Sequence, residues 1–163
     1  MRRAIANLLA AVLWALASAP ANADMASAQA AYARKDYDSA FKEFQTLAEQ
    51  GDSNAQASLG VMYELGRGVA RDYQKALHWY IRSAEQGNDN GQYNLATLYY
   101  MGSGVEQDLV TACMWFSIAT RNNHGGARNS MQLCLRYLDE KGRAEYERRV
   151  EEWLAAHPKP PAR

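Results

Sequence analysis

The chain has 163 residues, of which 18 are basic and 18 acidic, and 22% are charged. That balance excludes the dense positive charge that nucleic-acid binding draws on, and it excludes a polybasic membrane anchor. Function therefore has to be sought in the order of the residues, taken from the amino terminus.

The first element is a leader. Arg2 and Arg3 precede an apolar run from Ile5 to Leu16, and Ala21-Asn22-Ala23 supplies small residues at a cleavage site. This is the pattern of a secretory signal peptide over residues 1–23, cut after Ala23. The run is too short to span a membrane, and nothing later in the chain is long and apolar enough to do so. Removing it leaves 140 residues with sixteen basic against eighteen acidic groups, within the range of one domain, destined for the periplasm or the medium.

From Asp24 the pattern is helical. A short helix over Ser27–Arg34 turns at Lys35-Asp36 into a second, which carries Ala40, Phe44 and Ala48 and stops at Gly51. Between Ala55 and Leu65, the residues Leu59, Met62 and Tyr63 recur at spacings of three and four, so one face of a helix is apolar. Gly66-Arg67-Gly68 ends that helix and turns the chain, because glycine carries no penalty at positive φ. A second amphipathic stretch, Tyr73 to Gln86, runs through Ala76, Trp79, Tyr80 and Ala84 to Gly87. The unit is helix, glycine loop, helix.

It then repeats. Leu59-Gly60-x-x-Tyr63-x-x-Gly66-x-Gly68-Val69 returns 36 residues later as Leu95-Ala96-x-x-Tyr99-x-x-Gly102-x-Gly104-Val105, followed in register by Asp108, Ala112, Trp115 and Phe116. Self-similarity at such a period marks a solenoid, in which each unit buries its apolar face against its neighbours. The Gly-x-Gly loops are not phosphate cradles, since they follow a helix where the phosphate motif needs a strand. Farther on, Ala127 to Leu138 reads as another first helix broken by Lys141-Gly142. Arg143 to Ala156 follows as a polar final helix with Tyr146, Val150, Trp153 and Leu154 as its apolar stripe, and residues 158–163, with three prolines, as a disordered tail.

These motifs resemble the Sel-one-like repeat family, longer-looped relatives of the tetratricopeptide repeat, over about Ala55 to Asn122. Ala30 to Leu47 looks more like an ordinary tetratricopeptide unit. The sequence departs from the pattern at Ala96, Thr111 and Asn123, where Gly60, Lys75 and Gly87 stand one repeat earlier. The resemblance implies an all-α fold, a right-handed α-α superhelix of about three to four helix pairs over residues 24–157, with first helices lining a concave face. It implies a binding scaffold with no catalytic residues.

Hidden chemistry finds no support in the residues. His78, His124 and His157 have no carboxylate or cysteine at metal-ligand spacing, and no nucleophile elbow, phosphate loop or paired-carboxylate motif is present. The expectation is no catalytic site, no metal and no cofactor.

Cysteine is more informative in an exported chain. Cys113 takes the position of Leu77 one repeat earlier, and Cys134 that of Leu98; Phe41 and Met62 stand in the same relation at the first junction. Pairs that recur in this way touch across each junction, which brings Cys113 and Cys134 within bonding reach. Two buried thiols acting as small hydrophobes are the alternative.

For binding, Leu59, Gly60 and Tyr63 face the packing seam, so positions 57, 61, 64 and 65 point to the opposite side. Their counterparts are Tyr93, Thr97, Tyr100 and Met101, then Asn129, Leu133, Arg136 and Tyr137. Tyrosine, methionine and arginine are enriched in interface cores. Packing of Tyr100 or Tyr137 between helices is the competing reading. The sequence thus predicts an exported, non-enzymatic scaffold that holds a protein or peptide in its concave face, with an envelope enzyme or an architectural subunit as alternatives.

Overall fold

The computed structural model describes residues 24–158. The expected leader, residues 1–23, and residues 159–163 of the expected tail lie outside the described residues. Eight helices follow in order: α1 Met25–Ala33, α2 Tyr37–Glu49, α3 Ser53–Leu65, α4 Tyr73–Glu85, α5 Asp89–Met101, α6 Leu109–Arg121, α7 Ala127–Leu135 and α8 Glu140–Ala156. No strand occurs among the described residues. Each helix from α1 to α6 packs on the next in sequence, α3 also lies beside α5, and α8 packs on α6. This is the all-α solenoid that the 36-residue period predicts.

The helix starts are written in the sequence as side-chain caps. Asp24, Asp36, Asp52, Asp72, Asn88, Asp108 and Asp139 each accept a hydrogen bond from a backbone N–H in the first turn of the helix they precede. Such a cap contributes about 1 kcal/mol by satisfying donors that the helix leaves unpaired. Only α7 among the described helices, begun by Gly126, has no side-chain cap.

The glycine loops fix the pitch of the solenoid. Gly68 and Gly104 have φ of 68° and 70°, and a Cβ on them would stand 2.2 Å from the Tyr37 carbonyl oxygen and 2.5 Å from the Tyr73 Cβ. Each loop is therefore pressed on the first turn of the preceding unit's second helix, a place that only glycine fits.

Buried amides join the units in a way the motif reading does not reveal. Gln56 is fully buried; its Nε2 donates to the Ala48 carbonyl at the end of α2, and its Oε1 accepts from Gln86 Nε2 at 2.6 Å. One repeat on, Gln92 donates to Ala84 O at 3.1 Å and accepts from Asn122 Nδ2 at 2.9 Å. At the next equivalent position stands Arg128. There the junction is held by Cys113 and Cys134, with Sγ atoms 2.05 Å and Cα atoms 5.6 Å apart.

The last pair of helices departs from expectation. Lys141-Gly142 does not break a helix; both residues lie in the first turn of α8, where the Gly142 N–H donates to Asp139 Oδ1 at 2.7 Å. The chain turns earlier, after Leu135, and Arg143 caps the vacated carbonyls, donating to Leu135 O and Leu138 O. Glycine weakens a helix interior far more than a capped first turn, so the aspartate wins. α8 then leans on α6 through Trp153 against Trp115, ring centroids 5.8 Å apart, and through Arg149, which donates to Thr111 Oγ1 at 2.8 Å.

Candidate binding groove

Helices α3, α5 and α7, with the two residues after α7, carry the residues expected on the inner face. Four large apolar side chains are exposed among the described residues: Leu65, Met101, Leu133 and Tyr137, at 50%, 66%, 45% and 60%. Leu65, Met101 and Tyr137 occupy one repeat position, each 36 residues from the next. Scattered exposed hydrophobes need no explanation, but a repeat-equivalent row of them does.

Two clefts open along that row at the α5–α7 end. The first, about 160 Å³, is walled by Tyr93, Thr97 and Tyr100 of α5, Phe116 of α6, and Ser130 and Leu133 of α7. The second, about 290 Å³, runs on from it between Tyr100, Met101, Gln107, Leu109 and Tyr137. Tyr100 and Met101 belong to both, so the clefts form one groove.

Its rings pack at steep angles, Tyr93 tilted against Phe116 and Tyr100 edge to face with Phe116 and Tyr137. Tyr93 and Phe116 have centroids 5.4 Å apart, and Tyr100 lies 6.4 Å from both Phe116 and Tyr137. The Tyr93 hydroxyl is 3.3 Å from Ser130 Oγ, and one face of its ring is covered by His124, stacked at 4.2 Å. His124 Nδ1 in turn accepts from the Gly126 N–H at 3.2 Å, which ties the loop before α7 to the groove wall. Desolvation and the neighbouring Tyr137 push Tyr100 above the ordinary phenol range, so it stays neutral. No charged side chain lines either cleft.

Of the sequence-expected residues, Tyr93, Thr97, Tyr100, Met101, Leu133 and Tyr137 come together here. Asn129 and Arg136 are exposed on α7 and at its carboxyl end, outside the lining of both clefts. Phe116 and Ser130 were not anticipated: Phe116 reads as core because it follows Trp115 in the repeat, and Ser130 is hidden beside Asn129. Of the histidines, His157 caps the end of α8 and stacks on Trp153, while His78 is exposed. Among the described residues no group of histidine, cysteine and carboxylates is placed to hold a metal ion.

With this geometry in view the relatives are informative. The family model of the Sel1 repeat matches residues 53–88 and 90–124, which are the α3–α4 and α5–α6 pairs with their loops. The chain carries two Sel1 repeats. Among solved structures, this Sel1-repeat chain is similar to a protective antigen of uropathogenic Escherichia coli displaying an SLR fold, with a TM-score of 0.72 and 30% identity over 74% of the chain. It is also similar to a Sel1 repeat protein of Oxalobacter formigenes, with a TM-score of 0.66 and 29% identity over 80%. The chain spans 26% and 56% of the lengths of those two proteins. No curated protein matches it in sequence.

Proposed function

We propose that this Sel1-repeat chain is an exported, non-enzymatic scaffold that holds a segment of a protein partner in the α5–α7 groove. The observation that carries the reading is the row of exposed apolar side chains at repeat-equivalent positions, converging on a neutral, aromatic cleft. A surface that ordinary solvation does not favour is retained there because a partner covers it. Export is supported by the leader pattern of residues 1–23 and by the cysteine pair at bonding distance, which an oxidising compartment maintains.

The test is affinity capture from envelope fractions of the source organism. Wild-type chain, a Tyr100→Ala/Leu133→Ala variant and a Glu147→Ala/Glu151→Ala variant on α8 serve as baits. Truncating one interface anchor costs about 2 kcal/mol or more, roughly a thirtyfold loss of affinity. The groove variant is expected to lose the partner and the α8 variant to keep it. The reverse result would move the interface to the terminal helix and favour an architectural subunit.

A further inference from the structure

The inner face has a second depression, of about 420 Å³, between α1, α3 and α5. Its polar walls are amides and one hydroxyl: Gln29, Asn54, Ser58, Asn90 and Asn94. Asn54 and Asn90 are repeat equivalents, as are Ser58 and Asn94. Asn90, Asn94, Thr97 and Met101 then form a single stripe along α5, at spacings of four, three and four, which carries the amide-lined floor into the aromatic groove. No charged side chain lines this depression either, in a chain that is 22% charged.

Resting on the proposed peptide-holding role of the groove, we infer that the inner face is built for an extended, uncharged peptide, gripped by its main chain at the amide-lined end and by one apolar side chain at the aromatic end. A side-chain amide offers a donor and an acceptor together, so it matches the N–H and C=O of a peptide unit where a carboxylate or guanidinium would select a charge. The side-chain amides of Asn94 and Gln29 make no hydrogen bond among the described residues, and Asn54 uses its Oδ1 for Asn88 Nδ2 at 2.7 Å, with no partner there for its own side-chain N–H donors.

Length and side chain follow from the geometry. Packed helices lie about 8–10 Å apart, so the path across α1, α3, α5 and α7 covers about 27 Å. An extended chain advances about 3.3 Å per residue, which makes roughly eight or nine residues. The first aromatic cleft, about 160 Å³, is close to the roughly 150 Å³ cavity that accepts a benzene. It therefore seats one leucine- or phenylalanine-sized side chain. A glycan fits less well, because sugar rings stack on open aromatic faces. Here one face of Tyr93 is taken by His124, Tyr93 is tilted against Phe116, and Tyr100 meets Phe116 edge to face.

The probe is a randomised nonapeptide library displayed against the full chain purified without reductant, with an N-acetylglucosamine hexamer as the glycan probe. Enriched peptides should lack Asp, Glu, Lys and Arg over the central positions and share one large apolar residue near one end. The best of them, titrated by fluorescence anisotropy, should bind about tenfold more weakly to Asn94→Asp and to Gln29→Glu, which add charge with almost no change of volume, and at least tenfold more weakly to Leu133→Ala. Loss with Leu133→Ala alone would leave the groove standing and overturn the main-chain grip. A charged consensus, or binding of the hexamer in place of any peptide, would overturn the neutral-peptide assignment. Failure of every peptide to enrich would overturn both this inference and the peptide-holding role beneath it.

Discussion

Reducing the Cys113–Cys134 pair should release α7 before anything else moves. α7 has nine residues, no side-chain cap at its start, and only Ala127 and Cys134 buried, so its own packing holds it weakly. Arg128 replaces the buried glutamine that fastens each earlier junction, so no equivalent amide bond is available at this one. With a sequence separation of 21, the chain-entropy relation gives about 3 kcal/mol for the cross-link. At 1.4 kcal/mol per decade, that is about a hundredfold rise in the fraction of molecules with α7 open. Amide hydrogen exchange read by mass spectrometry, with and without reductant, checks this. Peptides from α7 should exchange about a hundredfold faster after reduction, those from α1 to α4 should hold their rates, and the groove, which loses Ser130 and Leu133, should lose peptide binding in step. Unchanged protection in α7 would refute the reasoning, and so would a uniform loss across all helices.

Other outcomes are as specific. Gly104→Ala should cost about 2–3 kcal/mol in urea unfolding, since it adds left-handed strain and drives a Cβ to 2.5 Å from Tyr73. Gly51→Ala, at φ 100° but in open space, should cost about 1 kcal/mol, and equal effects would remove the argument for a pressed loop. Gln92→Leu removes the bonds to the Ala84 carbonyl and from the Asn122 amide, which keep the Gly87 N–H at 2.9 Å and the Gly87 carbonyl at 3.4 Å, and should lower stability by about 1–2 kcal/mol; a change under 0.5 kcal/mol would mean the buried amides fasten nothing. Acid should loosen α8 first: hydrogen bonds from Arg148 and Arg149 push Glu145 down from 4.5 to about 2, and although burial alone would raise Asp108, hydrogen bonds from Thr111 and the charge of Arg149 hold it below the ordinary range. Carboxylates held low contribute stability above their unfolded values and lose it as pH falls through the folded ones. Exchange in α8 should therefore rise between about pH 4.5 and 2 ahead of α3 and α5, and a flat profile there would be contrary.

Much of the fold is legible because its determinants are local and periodic. Asp52, Asp72, Asn88 and Asp108 stop and start helices by bonds within three residues, and Gly66 and Gly102 end them in left-handed caps, so helices and loops can be read from chain order. The cysteine pair was accessible for a similar reason: repeat register turns one known contact into a prediction of the next. The groove was half legible. Register locates Tyr93, Thr97, Tyr100 and Tyr137, but Phe116 enters from a second helix, which no first-helix register can reveal. The end of the chain misled because Lys141-Gly142 reads as a break until the competing cap at Asp139 is weighed, and because α8 finds its contacts on α6, a long-range choice without a periodic signature.

The buried glutamines carry a consequence for how such a chain grows. In the α3–α4 unit, Gln56 is the group that reaches back and Gln86 the group that is reached across to it from the unit's far end. A second copy of residues 53–88 spliced after the first would reach back to the Ala84 carbonyl with its own buried glutamine, as Gln92 does, and would offer its own copy of that carbonyl to Gln92, and so would dock as its parent does. A copy of the final unit would arrive with Arg128 and an odd thiol instead. The molecule is therefore extensible from its middle, where a duplicated segment keeps the fit of its parent.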